Sequence, residues 1–388
     1  MISSISHATT PYDDQSDLLA LMDRITQNCL SAPSEKDSLT RDINALAEEG
    51  WLYACVPYEA GGSGLSYEKP SVDVALDFFF RLGAANLSLG RLFEGHVNAC
   101  KLINTLAKPE QATMVWEKIK KGAFLGVWGA DGHKPVSIQT NSDTHSLNGA
   151  KSFCSGLGNV SLAIVSAKTV EGLQLILADV SQQSRGDPEQ WQLSGMQATR
   201  SGTYDFQDLP FDQFSLLGAP NAYYEEPHFL GGQWRYLALH AGCVAAIAQE
   251  VSTHIKAMNG NVSDSTAVRV ARIVGLSKQA MMWARTIAYD TEIYVNLETG
   301  TQAILGRELV ESACVEAIAL AERTVGTRAF QSGSRLERLC RDLRTYLRQA
   351  ALDQRLVTAG HNLLALDPNS QRFFEHCGGS YEKGRSAF

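Results

Sequence analysis

The chain lacks the long apolar run that a membrane-spanning helix requires, which is about 20 residues. Residues 1–17 are polar and contain no apolar core of a signal peptide. Runs of lysine and arginine are also absent, and the net charge of −8 argues against a nucleic-acid surface. We therefore expect a cytoplasmic protein with no membrane span and no nucleic-acid partner.

Paired cysteines are missing as well. Eight cysteines are scattered over the 388 residues, none in a C-x-x-C spacing. This pattern favours free thiols in a reducing compartment over a disulfide framework or a zinc site, so we expect no metal. The composition, 44% hydrophobic and 20% charged, is that of an ordinary globular protein, and the length allows two or three domains.

The first part of the chain has helical periodicity. Apolar residues recur at helical spacing in residues 17–50, 72–81, 87–106 and 109–121. Between the first two segments, the glycine-rich residues 56–67 lack the Lys-Ser/Thr of a phosphate-binding loop. We interpret this loop as a tight connection between helices.

The middle of the chain has strand patterns, from about residue 124 to residue 214. Asn148-Gly149, flanked by strand-like residues, is a strong hairpin signal. Further short segments follow at 161–167, 173–180, 191–199, 202–206 and 211–217. Together they predict a small antiparallel barrel or sandwich.

Helical periodicity returns after Gly231. Four long periodic segments, at 234–256, 267–294, 301–328 and 336–366, predict an up-and-down four-helix bundle. The expected fold class is therefore mainly α with an inserted small β domain. The predicted domains are a helical domain (1–122), a β domain (123–218), the bundle (219–366) and a polar tail (367–388).

Several short phrases then occur in the order found in acyl-CoA dehydrogenase-type flavoproteins, and the chain resembles that family over about residues 17–366. The phrases are Val56-Pro57 with Gly61-Gly62-Ser63-Gly64-Leu65, Leu147-Asn-Gly-Ala-Lys-Ser-Phe-Cys-Ser155, Gly195-Met-Gln-Ala-Thr-Arg-Ser-Gly-Thr203 and Arg341-Asp342. The resemblance implies the family's fold, an N-terminal helical domain, a β barrel or sandwich and a C-terminal four-helix bundle. It also implies an FAD cofactor.

The resemblance assigns roles around the flavin ring. Phe153 would pack against the isoalloxazine, and Ser155 would hydrogen-bond near its N5 atom. Backbone groups of Val127 and Trp128 would meet the pyrimidine edge. Without the resemblance, Phe153 is as readily interpreted as an ordinary core aromatic, and Ser155 as a turn hydroxyl that caps the following loop.

The family's glycine-rich phosphate phrase is altered in this chain. It appears as Arg323-Thr-Val-Gly-Thr-Arg-Ala329 and retains one glycine, Gly326. Arg323 and Arg328 still offer charge-assisted bonds to a pyrophosphate, with Arg269 or Arg272 as a further phosphate contact. The resemblance also implies a homodimer or homotetramer in which a neighbouring subunit touches the cofactor.

The catalytic glutamate of these dehydrogenases is not at either expected position. Ala350 stands at one and about Arg235 at the other. A displaced base is conceivable at Asp353, one turn after Ala350, or at Glu94. For Asp353 the simpler interpretation is a surface charge paired with a neighbouring arginine.

Three functions follow from these departures. The first is an FAD-dependent oxidoreductase that acts on an acyl thioester, bound to CoA or a carrier protein, with Asp353 or Glu94 as a relocated base. The second is a flavin-dependent monooxygenase using reduced flavin and O2, since the phrases around Phe153 and His96 resemble dibenzothiophene-monooxygenase-type relatives. It would need a dry pocket and donors such as Ser155 and His96. For His96 the more common interpretation of a lone histidine on an apolar helix is a core residue whose hydrogen bonds are satisfied within the protein. The third is a non-catalytic acyl- or flavin-binding protein.

Overall fold

The computed structural model describes residues 15–32, 39–141, 144–225, 229–258, 262–294, 299–348 and 351–370. Its N-terminal part is helical, as the periodicity predicts. The helices are α1 (Gln15–Ser31), α2 (Thr40–Glu48), α3 (Trp51–Ala54), α4 (Val72–Ala85), α5 (Leu87–Leu106) and α6 (Pro109–Lys120).

A single capping residue separates α4 from α5. Asn86 has an extended backbone, with φ of −156°. Its side chain accepts a hydrogen bond from the Leu89 amide at 3.2 Å and so satisfies one free amide at the start of α5. Behind the two helices lies a buried aromatic core in which Phe78 stacks on Trp51 at 4.0 Å, and Phe79 meets Trp234 edge-on at 5.9 Å.

Two sheets follow. The strands are β1 (Leu125–Trp128), β2 (Ser137–Asn141), β3 (Thr144–Asn148), β4 (Ala150–Lys151), β5 (Leu162–Thr169), β6 (Gly172–Asp179), β7 (Gly186–Asp187), β8 (Thr203–Asp205), β9 (Leu209–Phe211) and β10 (Leu216–Leu217). The larger sheet has the order β10-β6-β5-β2-β3-β9, and β1 pairs in parallel with β5. The smaller has the order β4-β8-β7.

The hairpin predicted at Asn148-Gly149 is wrong. The strands before and after this turn belong to different sheets, because β3 pairs with β2 and β9 whereas β4 pairs with β8. Gly149 has a φ of +121°, and a Cβ there would lie 2.5 Å from the Pro135 carbonyl oxygen. The turn therefore carries the chain from one sheet to the other.

Residues 191–199 also differ from their predicted strand. They form an irregular segment that ends in one turn of 3-10 helix, Gln197–Thr199. This segment runs along the C-terminal helices, where the Met196 amide donates to Asp342 at 2.7 Å. Its backbone groups are thus partly satisfied outside any sheet.

The C-terminal part forms the helical bundle. Its helices are α7 (Trp234–Ala257), α8 (Asp264–Glu292), α9 (Thr299–Val325), α10 (Arg335–Tyr346) and α11 (Leu352–Leu364). The fourth predicted segment, 336–366, is therefore two helices. Ala351, just before α11, has a left-handed backbone with φ of +57°, which a continuous helix does not allow.

Glycines bring α4 of the N-terminal part close to α7 of the bundle. A Cβ at Gly83 would lie 2.1 Å from the Leu239 carbonyl oxygen, and one at Gly242 would lie 1.8 Å from that of Phe80. The two helices therefore cross at backbone contact. Within the described residues, no helix is long and apolar enough to cross a membrane.

The seven cysteines in the described ranges are all free thiols, as the sequence predicts. Cys377 and most of the predicted tail lie outside those ranges.

Candidate flavin and substrate site

The segment from Phe153 to Gly156 is held against residues 199–202. The Cys154 amide donates to the Gly202 carbonyl at 2.9 Å, and the Gly156 amide donates to the Thr199 carbonyl at 2.8 Å. These bonds bring together two of the phrases on which the family resemblance rests.

The backbone is strained in both segments. Phe153, Met196 and Arg200 have positive φ values of 56°, 58° and 45°. Non-glycine residues rarely adopt this conformation, which costs on the order of 1–3 kcal/mol each and is found most often at ligand sites. The concentration of three such residues marks this place as a candidate site.

Phe153 is exposed rather than part of the core. Its relative exposure is 61%, and its ring meets Trp191 edge-on at 5.9 Å and 90°. Two aromatic rings at the surface form an apolar shelf, which we call the aromatic shelf. Such a surface fits the face of a planar ring system.

Hydroxyl groups lie next to this shelf. The Ser201 hydroxyl donates to the Ser155 Oγ at 3.0 Å and lies 2.8 Å from the Thr199 Oγ1. Ser155 accepts a bond in this arrangement and keeps its own hydrogen to donate. An apolar shelf beside a hydroxyl donor suits a flavin, which needs a face to pack on and a few polar contacts to tune it.

Trp128 of β1 supports the site through its indole. Trp128 is buried, and its Nε1 donates to the Ser155 carbonyl oxygen at 3.1 Å, which fixes the Phe153–Gly156 segment. Along the strand, Val127 pairs with Ile164 and Trp128 with Val165. Their backbone contact with a pyrimidine edge stays a prediction.

The predicted phosphate contacts lie elsewhere. Arg269 and Arg272 are on α8, where Arg272 is exposed and forms an ion pair with Glu316 of α9. Arg323 is exposed near the end of α9, and Gly326 follows it with φ of +71°. Among the described residues, no hydrogen bond or ion pair joins these groups to Phe153 or Ser155.

The two candidate bases differ in their surroundings. Asp353 is exposed on the first turn of α11, and Ala350 lies outside the described residues. Glu94 is buried, with 6% exposure. Its Oε2 accepts a hydrogen bond from Arg91 at 2.8 Å, and its Oε1 accepts one from Asn98. Glu94 is thus buried and hydrogen-bonded at both oxygens, whereas Asp353 is exposed.

His96 is a core residue. Its Nε2 lies 3.1 Å from the Leu52 carbonyl oxygen, and its Nδ1 accepts a hydrogen bond from the Leu125 amide at 3.1 Å. The ring stacks on Phe124 at 5.1 Å. Both ring nitrogens therefore have backbone partners, and the expectation that His96 offers a donor to a ligand is wrong.

Arg235 stands near one expected position of the dehydrogenase glutamate. It is fully buried, and its Nη2 pairs with Glu292 of α8 at 2.8 Å. Lys101 of α5 approaches the same carboxylate at 2.6 Å, and Arg235 also donates to Asn98 at 3.1 Å. The position therefore carries a cation that is engaged in a buried network.

A cluster of aromatic side chains between α5, α7 and α10 was not predicted from the sequence. The rings of Tyr236 and Tyr346 lie 5.5 and 4.8 Å from that of His240, and 6.2 Å from each other. We call these three residues the aromatic cluster. Burial, with the nearby Glu94 carboxylate adding to it, raises the pKa of Tyr346 well above its usual value. The cluster therefore adjoins Glu94.

Arg307 was missed as well, although the sequence carries a signal for it. Residues Ala303, Val310, Cys314 and Ala317 of α9 are buried at helical spacing, and Arg307 occupies the same face with 3% exposure. An arginine inside an apolar periodic face is unusual, since charged residues are rarely buried without partners.

No protein-family model matches the chain. A dibenzothiophene monooxygenase from Rhodococcus erythropolis is 27% identical over 199 residues, which are 48% of this chain and 46% of that protein. A second from Mycolicibacterium goodii is 25% identical over 201 residues. The chain thus matches about half the length of these curated relatives.

Solved structures match over much more of the chain. A complex of TdsC from Paenibacillus sp. A11-2 with FMN and indole has a TM-score of 0.75 at 18% identity, covering 89% of this chain and 96% of that one. Methanesulfinate monooxygenase from Pseudomonas fluorescens has a TM-score of 0.73 at 18% identity, covering 88% and 94%. The chain shares their fold. The predicted acyl-CoA dehydrogenase-like architecture is therefore confirmed.

Proposed function

We propose that the protein is a flavin-dependent monooxygenase that uses reduced flavin and O2 to oxygenate a small organic substrate. The similarity to dibenzothiophene monooxygenases supports this reading over dehydrogenation of an acyl thioester. A reduced flavin can activate O2 and supply one oxygen atom to a substrate. That chemistry does not require a carboxylate that removes an α proton.

The observation that carries the proposal is the state of the two candidate bases. A general base needs an oxygen within hydrogen-bond reach of the proton that it removes. Both oxygens of Glu94 are engaged by Arg91 and Asn98, and Asp353 is exposed to water. Neither therefore has the surroundings expected of the base of a dehydrogenase, a carboxylate that faces the substrate in a closed pocket, whereas oxygenation needs no such base.

The residues at the shelf have roles that follow from their contacts. Phe153 and Trp191 offer the apolar surface on which the flavin ring packs. Ser155 donates its hydroxyl hydrogen to the polar edge of the ring, while Ser201 and the Trp128 indole hold Ser155 in place. The Phe153 ring is exposed and therefore available to a flavin.

The cofactor that we propose is FMN rather than the FAD implied by the resemblance. The altered phosphate phrase keeps only one of the family's glycines, Gly326, so we expect it to hold the second phosphate of FAD less well than the family's phrase does. TdsC from Paenibacillus sp. A11-2 was solved with FMN. We further propose a homodimer or homotetramer, in which Arg269, Arg272, Arg323 or Gly326 reaches the cofactor of a second copy.

The first test measures flavin binding and oxygenation separately. Purified protein is titrated with FMN and with FAD, following flavin fluorescence. Chemically reduced flavin, ¹⁸O2 and indole, dibenzothiophene or methanesulfinate are then supplied, and products are analysed by mass spectrometry. We expect tighter binding of FMN and an ¹⁸O-labelled product. Anaerobic bleaching of the bound flavin by acyl-CoA thioesters would instead establish the dehydrogenase.

Ser155→Ala tests the assignment at the flavin. Loss of one hydrogen bond, worth about 1.4 kcal/mol, should weaken flavin binding about tenfold. The matched control is Ser181→Ala, because Ser181 is an exposed serine of the same domain whose hydroxyl bonds to Asp179. Equal flavin affinity and an equal flavin spectrum in the two variants would remove Ser155 from the site.

A further inference from the structure

The loop that carries Met196 is held directly by α10. The Met196 amide donates to Oδ1 of Asp342 at 2.7 Å, and Nη1 of Arg341 donates to the Ser194 carbonyl at 2.8 Å. Between these two bonds the backbones touch, since a Cβ at Gly195 would lie 2.6 Å from the Arg341 carbonyl oxygen. Three consecutive residues of the loop therefore contact α10.

Met196 itself is buried and strained. It is 3% exposed and has a left-handed backbone with φ of 58°. Its sulfur atom lies 3.8 Å from the Ser88 hydroxyl of α5. A non-glycine residue keeps this conformation only where the surrounding groups hold it. The Asp342 carboxylate, which is 9% exposed, is such a group, so we expect the turn to relax when the carboxylate is removed.

Hydroxyl groups connect this turn to the aromatic shelf. The Thr199 hydroxyl donates to the Met196 carbonyl at 2.7 Å, and its oxygen lies 2.8 Å from the Ser201 Oγ. Ser201 in turn contacts the Ser155 Oγ at 3.0 Å. We call these five residues, from Asp342 through Met196, Thr199 and Ser201 to Ser155, the positioning chain.

The hydroxyl groups of the positioning chain differ in their exposure. Thr199 and Ser201 are each 1% exposed, whereas Ser155 is partly exposed beside the shelf. A ligand on the shelf can therefore contact Ser155, but it cannot reach the Thr199 hydroxyl. Any effect of that hydroxyl on a bound flavin has to pass through Ser201 and Ser155.

The loop held by α10 also borders an open pocket. Its volume is about 410 Å³, and Trp191, Ser194 and Gln197 are among the residues that line it. The Trp191 indole donates to the Gly195 carbonyl at 3.0 Å, so the shelf and the loop are joined here as well. Small-molecule sites commonly have volumes of about 300–1,000 Å³. The contact with α10 thus fixes one wall of a ligand-sized space beside the shelf.

We propose that Asp342 and Thr199 are positioning residues for the flavin. Asp342 fixes the strained turn at Met196, and Thr199 transmits that constraint through Ser201 to the Ser155 hydroxyl. A hydrogen bond weakens steeply when its donor is misaligned, so a small movement of Ser155 alters its contact with the ring. The role of both residues in a reaction rests on the proposed monooxygenase function.

Thr199→Val tests the middle of the positioning chain, because it removes the hydroxyl and nearly keeps the shape. We expect FMN affinity to fall about threefold to tenfold, the effect of one hydrogen bond. The absorption bands and the midpoint potential of the bound flavin should shift in the same direction as in Ser155→Ala. Unchanged affinity, or a loss of affinity without these shifts, overturns the proposal.

Thr291→Val is the matched control for this change. Thr291 is a buried threonine of α8, and its hydroxyl has no hydrogen-bond partner in the described part of the chain. The variant should bind FMN with the affinity and spectrum of the parent. Equal changes in Thr291→Val and Thr199→Val would overturn the proposal, because the effect would then not depend on the positioning chain.

A double variant shows whether Thr199 acts through Ser155. When two residues act along one chain of contacts, their effects are not additive. Thr199→Val combined with Ser155→Ala should therefore bind FMN no more weakly than Ser155→Ala alone. Additive losses of affinity would mean that Thr199 acts by another route and would overturn the proposal.

Two variants at Asp342 test the contact with α10. Asp342→Asn keeps an oxygen that accepts the bond from Met196 and should retain the FMN affinity of the parent, whereas Asp342→Ala should lose affinity as Thr199→Val does. Equal affinity in the two variants overturns the role of Asp342. The control is Arg344→Met, which breaks an exposed ion pair between α10 and Glu322 of α9.

Gly195→Ala tests the same contact without removing a hydrogen-bonding group, in case Asp342→Ala does not fold. The added methyl group pushes the loop away from α10, because it would lie 2.2 Å from the Thr345 hydroxyl oxygen. We expect FMN affinity to fall and the flavin bands to shift as in Thr199→Val. Parental FMN binding in Gly195→Ala would overturn the role of α10.

Hydrogen exchange followed by mass spectrometry tests the positioning chain without flavin. In the parent, the amides of Cys154 and Gly156 are bonded to the carbonyls of Gly202 and Thr199. Exchange at residues 153–156 should be faster in Thr199→Val than in the parent and unchanged in Thr291→Val. Equal exchange in all three proteins overturns the proposal. A parent that binds no flavin would refute the proposed function, and exchange would still decide whether Thr199 holds this segment.

Discussion

At the scale of single residues, His240 makes stability depend on pH. In the unfolded chain a histidine binds a proton below about pH 6.5. In the folded protein burial lowers its pKa to about 3. Between these two values only the unfolded state gains the proton, so the free energy of unfolding falls as the pH is lowered through this window, and the full contribution is present above it.

Replacing His240 by asparagine should remove that dependence. From pH 7 to pH 5 the parent should lose about 2 kcal/mol of unfolding free energy through this residue, and His240→Asn should lose correspondingly less. Urea unfolding at the two pH values measures the difference. His361→Asn, at an exposed histidine of α11, is the control. An unaltered pH dependence in His240→Asn would show that the ring can be protonated in the folded state.

Glu94 and His96 illustrate what the sequence could not settle at this scale. Residues that are two positions apart on a helix, as Glu94 and His96 are, point about 200° away from each other around the helix axis. The two side chains therefore cannot face one ligand. The periodicity shows that both lie on a largely buried helix. It does not show which neighbours each side chain meets, and those turn out to be Arg91 and Asn98 for one and backbone groups for the other.

At the scale of elements, the crossing of α4 and α7 depends on glycine. Gly242→Ala would place a methyl group 1.8 Å from the Phe80 carbonyl oxygen, so the helices must separate. We expect a loss of about 2–3 kcal/mol of unfolding free energy, the usual cost of overpacking. Chemical denaturation measures it.

Gly275→Ala is the matched control for this crossing. Gly275 lies in α8 with no atom within 4 Å of an added Cβ. Alanine is the better helix former by about 1 kcal/mol, so this variant should be neutral or more stable. If Gly242→Ala were as stable as the control, α4 and α7 would not be in backbone contact.

The elements also show which patterns the sequence determines. The bounds of α5 were predicted to the residue, because the periodicity of a long amphipathic helix depends only on the residues within that helix. The Asn148-Gly149 turn misled because a turn signal does not specify the partner of each strand, which is β2 for β3 and β8 for β4. The break before α11 was missed because Ala351 is neither glycine nor asparagine, the residues that commonly indicate a left-handed backbone. The domain boundaries stay a prediction.

At the scale of the whole molecule, the candidate flavin site and the aromatic cluster are each assembled from segments that are distant in the sequence. Ser155 contacts Ser201, which is 46 positions later in the sequence. His240 of the first bundle helix, α7, contacts Tyr346 at the end of α10. The family resemblance anticipated the first pair of segments, since both belong to its phrases. The aromatic cluster and Arg307 belong to no phrase, so only the packing of the helices reveals them.

A buried ionic network joins the N-terminal helices to the bundle. Glu292 of α8 accepts bonds from Lys101 of α5 and from Arg235 and Trp234 of α7. All but Lys101 are almost completely buried. A buried pair adds little net stability when intact, but removing one partner leaves the others as uncompensated charges.

Glu292→Gln should therefore destabilise the whole fold. We expect a loss of about 3–5 kcal/mol of unfolding free energy, with the N-terminal helices and the bundle unfolding together. Asp73→Asn, which breaks the exposed pair with Arg285, should cost about 0–1 kcal/mol. Denaturant unfolding followed by circular dichroism and by tryptophan fluorescence makes the comparison. A loss no larger than that of Asp73→Asn would mean that Arg235 is not held by Glu292.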